Sequence, residues 1–231
     1  MEPTTTCLLP ADAPKAIGVL GGTFDPIHCA HLHLAQKSLE IFQLDQVHFL
    51  IARRPPHKSP RSITSAYHRF AMTSSALEPF PRFLASTVEL ELEEDRSNYT
   101  WDTLYAICRH YHLQPEALFF IAGGDSFLTV NTWKNFEQLL AIYNFVFIDR
   151  PDACIGKDFS HLPTSLCRRI VDLRLHPNQV RASSSAIYLL ETGAPAISSS
   201  EIRERIIHKT DFSHLVPEAV HQYILKYHLY I

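Results

Sequence analysis

AIGVLGGTFDPIHCAH, residues 16–31, begins with a short apolar run, AIGVL, that stops at Gly21-Gly22. Such a run bounded by glycines reads as a buried strand meeting a turn. An amphipathic stretch follows over 29–43, with Leu32, Ala35, Leu39 and Phe42 at helical spacing. Strand, loop and helix in immediate succession form the building unit of an α/β sheet.

The unit recurs along the chain. VHFLIA (47–52), ALFFIAGG (117–124), NFVFIDRP (144–151) and AIYLLE (186–191) are further buried strands, and FLASTVELEL (83–92) alternates like a strand with one wet face. Helical patterns fall at 64–78, 100–112 and 132–143, with a short one near 164–172. Closing helices are expected at 198–209 and 217–229, the second with Pro217 at a first-turn position. Strands that are near-continuous Val/Ile/Leu/Phe runs belong to parallel sheets covered on both faces. The fold class is therefore α/β, a Rossmann-like doubly wound parallel sheet with helices on both faces and a small C-terminal helical part at about 198–231. Residues 1–15 read as a flexible leader and 16–231 as a single domain. Ligands of such sheets bind beyond the carboxyl ends of the strands, where strand order reverses.

Composition narrows the function. In 231 residues, 46% apolar and 19% charged, the formal charge is −3, which argues against a general nucleic-acid binder. No apolar run approaches the roughly 20 residues of a membrane span, and the first fifteen residues do not spell a signal peptide. Five cysteines without a C-x-x-C pair suit free thiols in a reducing cytosol, so a cytoplasmic location is expected. The net charge hides a local excess: no acidic residue lies between Asp45 and Glu78, where Arg53, Arg54, Lys58, Arg61 and Arg69 fall. Glu89, Glu91, Glu93, Glu94 and Asp95 concentrate the opposite sign.

Two segments carry the chemistry. In GGTFDPIHCAH (21–31) the glycines permit a tight turn and close backbone approach, and the following helix aims its N–H groups and positive dipole end at the same place. His28 and His31, three residues apart, share one face of that first turn and suit phosphate oxygens. Neither the G-x-G-x-x-G fingerprint nor a P-loop is spelled, and no second ligand cluster completes a zinc site around His28, Cys29, His31 and His33. In ISSSEIRERI (197–206) Ser198 and Glu201 fit a capping box, which sets Arg203 beside exposed helix N–H groups. A guanidinium there can grip a di- or triphosphate.

GGTFDPIHCAH followed far downstream by ISSSEIR resembles the bacterial nicotinate-nucleotide adenylyltransferases, nucleotidyltransferases with a His-x-Gly-His type signature. The resemblance extends through RRPPHK (53–58), SNYTWDTL (97–104), GGDSFLTVNTWKNFEQLL (123–140) and DRP (149–151), in order, over about residues 16–229.

The resemblance implies adenylyl transfer from ATP to nicotinate mononucleotide, with Mg²⁺ arriving on the ATP and no protein metal ligand; Asp25 is an outside candidate. It assigns catalysis to His28, His31 and Arg203, and ATP binding to these with Gly21, Gly22, Thr23, Phe24, Gly123 and Ser199. It assigns the mononucleotide to His57, Lys58, Tyr99, Thr100, Asp125, Trp133 and Arg150. Trp133 would stack on the base, and N–H groups of the Tyr99-Thr100 segment would face its carboxylate. The chain departs from the family at Ala30, where glycine is usual, and at Glu94 and Arg96. Nicotinamide mononucleotide or another phosphate acceptor such as phosphopantetheine is the alternative substrate, and an inactive nucleotide-binding regulator the alternative class. The sequence leaves a homo-oligomer open.

Overall fold

Seven parallel strands run β1 (Ile17–Gly22), β2 (Gln46–Ile51), β3 (Phe83–Ser86), β4 (Leu118–Gly123), β5 (Asn144–Asp149), β6 (Ile170–Asp172) and β7 (Ile187–Glu191). In the computed structural model they order as β3-β2-β1-β4-β5-β7-β6, so the direction of winding reverses between β1 and β4. The structure describes residues 14–53, 63–91, 100–149, 154–177, 179–180 and 184–231. The expected leader, except for its last two residues, and the segments holding His57, Lys58, Tyr99, Arg150, Glu94 and Arg96 lie outside them.

Alternate side chains of each strand enter different cores. Phe119 and Ile121 of β4, Val146 and Ile148 of β5, and Tyr188 and Leu190 of β7 join one core. It is covered by α1 (Cys29–Ile41), α2 (Ala66–Leu77), α7 (Ser199–Ile207) and α8 (Glu218–Lys226). Leu118 and Phe120, Phe145 and Phe147, and Ile187 and Leu189 join the other. There α3 (Thr100–Tyr111), α4 (Gly124–Thr129), α5 (Phe136–Ile142) and α6 (Thr164–Cys167) pack. Apolar burial on both faces is what the unbroken runs require, since a one-faced sheet would expose every second residue.

Three expectations change. FLASTVELEL is a strand only as far as Ser86; Thr87 to Leu90 make a turn, with the Leu90 and Glu91 N–H groups donating to the Thr87 carbonyl. β3 is an edge strand, and alternation alone supplies no partner to extend it. The helix read over 132–143 begins at Phe136, preceded by α4 and a 3₁₀ turn (Val130–Thr132). The segment near 164–172 holds a four-residue helix and then β6, a strand of three residues paired with β7.

Candidate active site

The β1–β4 ladder stops at Leu20 and Ile121, while β1 continues to Gly22 and β4 to Gly123. On their outer sides both strands stay paired to those ends, Gly22 with Ile51 and Gly123 with Ile148. The sheet thus parts between its two central strands at the reversal of strand order, where an open α/β sheet takes its ligand.

Gly21 and Gly22 serve the close approach of rings rather than the expected tight turn. A Cβ at Gly21 would come within 2.9 Å of the Phe120 ring, and one at Gly22 within 2.7 Å of the Phe24 ring. The left-handed residue of the loop is Phe24, at φ 50. Its side chain is buried and meets the His31 ring edge-on at 4.9 Å, so Phe24 has only its main chain for contact with a nucleotide.

His28 is the N-cap of α1, and its backbone N–H donates to His31 Nδ1 at 3.2 Å. With Nδ1 accepting, a neutral His31 carries its proton on Nε2, the nitrogen able to donate to a phosphate oxygen. The two rings stack with centroids 3.7 Å apart. Cys29, between them in sequence, has its thiol pKa pushed up by burial. Ala30 is fully enclosed in the first turn of α1.

The second motif folds onto this loop. Ser198 caps α7 by accepting the Glu201 N–H at 3.1 Å, but the reciprocal half of the expected capping box is not made, because Glu201 pairs with Arg205 at 2.9 Å. The Ser199 hydroxyl donates to the Pro26 carbonyl (2.9 Å), and Arg203 Nη1 to the Asp25 carbonyl (2.7 Å). Arg203 Nη2 also donates to Ser200 Oγ.

Three anchoring side chains were not legible as such in the sequence. Asp25, 2% exposed, accepts from the Thr64 N–H through Oδ2 and from the Tyr230 hydroxyl through Oδ1. Both oxygens are engaged in protein contacts. Arg69, counted with the local basic excess, is 1% exposed and faces no ligand. It donates to the carbonyls of Thr64 (2.9 Å), Thr23 (2.7 Å) and Arg53 (3.3 Å), tying the loops after β1 and β2 to the start of α2. Burial lowers its pKa, and Asp25, Tyr230 and Glu89 oppose that shift. Glu89 also accepts the Arg53 N–H, at 3.2 Å. These contacts join residues 36 to 205 positions apart, or an arginine to bare carbonyls, and no local spacing announces them.

Across the opening, Gly123 precedes α4 as its N-cap and Asp125 lies exposed in its first turn. Trp133 is half-buried, edge-on to Phe120 (5.9 Å) and Phe145 (6.4 Å). Phe120 thus lies against both Gly21 and Trp133, connecting the two halves of the site. Thr100 opens α3. Among the described residues no group of three or more His, Cys, Asp or Glu could hold a metal ion.

A split parallel sheet, with a histidine-capped helix on one side and a serine–arginine helix fastened to the same loop, defines a nucleotidyltransferase site. The cytidylyltransferase-like family model matches residues 19–205. The probable nicotinate-nucleotide adenylyltransferase of Thermoanaerobacter sp. (strain X514) is 37% identical over 93% of this chain and 93% of its own length. That of Moorella thermoacetica is 36% identical over 94% and 92%. Among solved structures, nicotinic acid mononucleotide adenylyltransferase of Plasmodium falciparum complexed with NaAD superposes with a TM-score of 0.69 at 23% identity, over 94% of this chain and 97% of that one. The chain belongs to the nicotinate-nucleotide adenylyltransferase family and is an enzyme of it.

Proposed function

We propose that the chain transfers the adenylyl group of ATP to nicotinate mononucleotide, giving deamido-NAD and pyrophosphate. The observation that carries this reading is the 2.7 Å bond from Arg203 to the Asp25 carbonyl, which brings ISSSEIR onto the GGTFDPIH loop. Chain segments 178 positions apart then address one anion.

In this reaction the mononucleotide's 5′-phosphate attacks the α-phosphorus, a new P–O bond forms, and the bond to the β-phosphate oxygen breaks. A phosphate monoester with a second pKa of about 6 is already largely ionised at neutral pH, so no general base is required. Catalysis reduces to positioning and to stabilising charge on the transferring and leaving groups. His28, His31 and Arg203 supply the donors, with the N–H groups of α1 and α7 behind them. Magnesium arrives with the triphosphate, neutralising it, held by phosphate oxygens and water.

On the acceptor side Trp133 stacks on the pyridine ring and the N–H groups opening α3 at Thr100 face its carboxylate. A charged acceptor makes the stronger hydrogen bond, which favours acid over amide. Asp125 takes ribose hydroxyls. His57, Lys58 and Arg150 grip the mononucleotide phosphate and Tyr99 completes the carboxylate site; these four roles rest on the resemblance. A cytoplasmic location accords with free thiols at Cys29, Cys108, Cys154 and Cys167.

The test is pyrophosphate release from ATP and Mg²⁺ with acid and amide mononucleotides in parallel. The acid is expected to give the higher kcat/KM. An amide preference of tenfold or more would overturn the acceptor assignment, and no product from either would overturn the reaction.

A further inference from the structure

Residues 154–163 lie between β5 and α6 in the chain and pack on α4. Their start is held by Asp149, whose Oδ1 accepts the Ile155 N–H at 2.8 Å, and by Arg174, whose Nη1 donates to Asp149 Oδ2 at 2.8 Å and to the Ile155 carbonyl. Arg174 is itself fixed by Asp172, which accepts from its Nε at 2.9 Å and from its Nη2 at 2.7 Å. Ile155 and Leu162 then enter the core that holds Phe127 of α4. Phe159 and His161 both meet the Phe127 ring edge-on, at 5.8 and 5.0 Å. His161 Nε2 also donates to the Phe127 carbonyl at 3.2 Å. A carbonyl only accepts, so the proton of that bond is the imidazole's.

We infer that His161 is a positioning residue for the acceptor: by holding the Phe127 carbonyl it fixes the turn that presents Trp133 to the pyridine ring of the mononucleotide. The inference rests on the adenylyl-transfer reading of the site and on the stacking role proposed for Trp133.

The stretch that carries Asp125 and Trp133 has few anchors. Of residues 125–136 only Phe127 and Val130 are buried. α4 is six residues long, and the last carbonyls of a helix have no partner within it. The Phe127 carbonyl accepts the Val130 N–H as well as His161, and the Val130 carbonyl accepts the Trp133 N–H at 3.0 Å. The Thr132 hydroxyl ties the same turn to the Thr129 carbonyl at 2.7 Å. A fixed Phe127 carbonyl thereby fixes the main chain of Trp133. Stacking depends on where the partner ring lies, so a displaced indole loses acceptor binding and leaves the triphosphate contacts as they are.

The experiment is steady-state kinetics, each substrate varied at saturating levels of the other, for the wild type, His161→Phe, His161→Gln, Trp133→Ala and the double variant His161→Phe/Trp133→Ala. His161→Phe keeps a ring on Phe127 and removes the donor. It is expected to raise the KM for nicotinate mononucleotide about fivefold, the worth of one hydrogen bond, with kcat and the KM for ATP within twofold. His161→Gln, which keeps an N–H, stays within twofold of wild type. In the Trp133→Ala background His161→Phe costs less than twofold, because the ring it positions is gone; a purely structural role would cost the same in both backgrounds. A mononucleotide KM unmoved by His161→Phe, an equal rise in both backgrounds, a His161→Gln as weak as His161→Phe, or a loss that falls on ATP overturns the role. Should His161→Phe fail to fold, His161→Leu takes its place under the same criteria. A Trp133→Ala that leaves the mononucleotide KM unmoved refutes instead the stacking role on which the inference rests.

Discussion

His28 and His31 stack at 3.7 Å while the backbone of the first donates to the ring of the second. The helix start and the proposed catalytic pair are therefore one structure: the hydrogen bond that begins α1 also orients the imidazole proposed to face the anion. Phe24 closes the arrangement from the side, its ring edge-on to His31 and tilted against Phe49 of the core at 5.6 Å. Imidazole orientation at the site is thereby referred to the sheet rather than to a surface loop, which is what preorganised charge stabilisation needs.

His31→Ala removes a donor whose proton is directed by that bond. The expected result is a fall in kcat of about 10²-fold with a much smaller change in the KM of ATP, as for loss of a transition-state donor. His31→Asn, which keeps an N–H, should recover part of it. Steady-state kinetics with ATP varied at saturating mononucleotide checks both.

The motifs proposed to face ligand were legible because local spacing suffices to define them. A cap and a dipole end occupy one turn, so His28, His31, Ser198 and Arg203 could be read from their neighbours. Burial runs such as ALFFIAGG were legible for the same reason, both faces being written in one segment. What supports the site was not. Tyr230 lies 205 residues from its partner Asp25, and Arg69 holds main-chain carbonyls, which every residue has. Arg69 even read as one more member of a basic run, since a charge run and a buried clip have the same spelling. β6 escaped because three residues between Arg169 and Leu173 carry no period.

Arg69→Met should show what that clip contributes. Three carbonyls would lose their donor together, and at 1–3 kcal/mol for each unsatisfied buried group, relieved in part by relaxation, about 3 kcal/mol of stability should go. Because Thr23 and Arg53 belong to the loops after β1 and β2, the variant should also raise the KM for ATP. Urea unfolding and kinetics measure the two effects separately. Full stability would show that the loops hold without the guanidinium.

Trp133→Ala should separate the half-sites. The indole contacts Phe120 and Phe145 by edges, so its truncation costs some packing. Its proposed stacking on the pyridine ring predicts a KM for mononucleotide raised about tenfold, taking base–aromatic stacking at 1–3 kcal/mol, with the KM for ATP within twofold. Trp133→Phe should lie between. A loss confined to ATP would mean that the half-sites are exchanged.

His48 makes the fold sensitive to acid. It is buried in the middle of β2, edge-on to Tyr111 and 3.2 Å from Gln46 Oε1. Burial, and secondarily His110, push its pKa down to about 4 from an ordinary 6.5. Above pH 6.5 both folded and unfolded chains hold it neutral, and it contributes no pH dependence. Between 6.5 and about 4 the unfolded chain binds a proton that the folded chain refuses, so stability falls as pH falls and the loss levels off below the folded value. At 1.36 kcal/mol per unit the full loss is about 3 kcal/mol. His48→Leu removes the titrating group from both states. Urea midpoints at pH 7 and pH 4.5 should therefore differ less in the variant than in the wild type, by most of that amount after multiplication by the m-value. An equal pH dependence in the two proteins would show that the imidazole is protonated within the folded sheet.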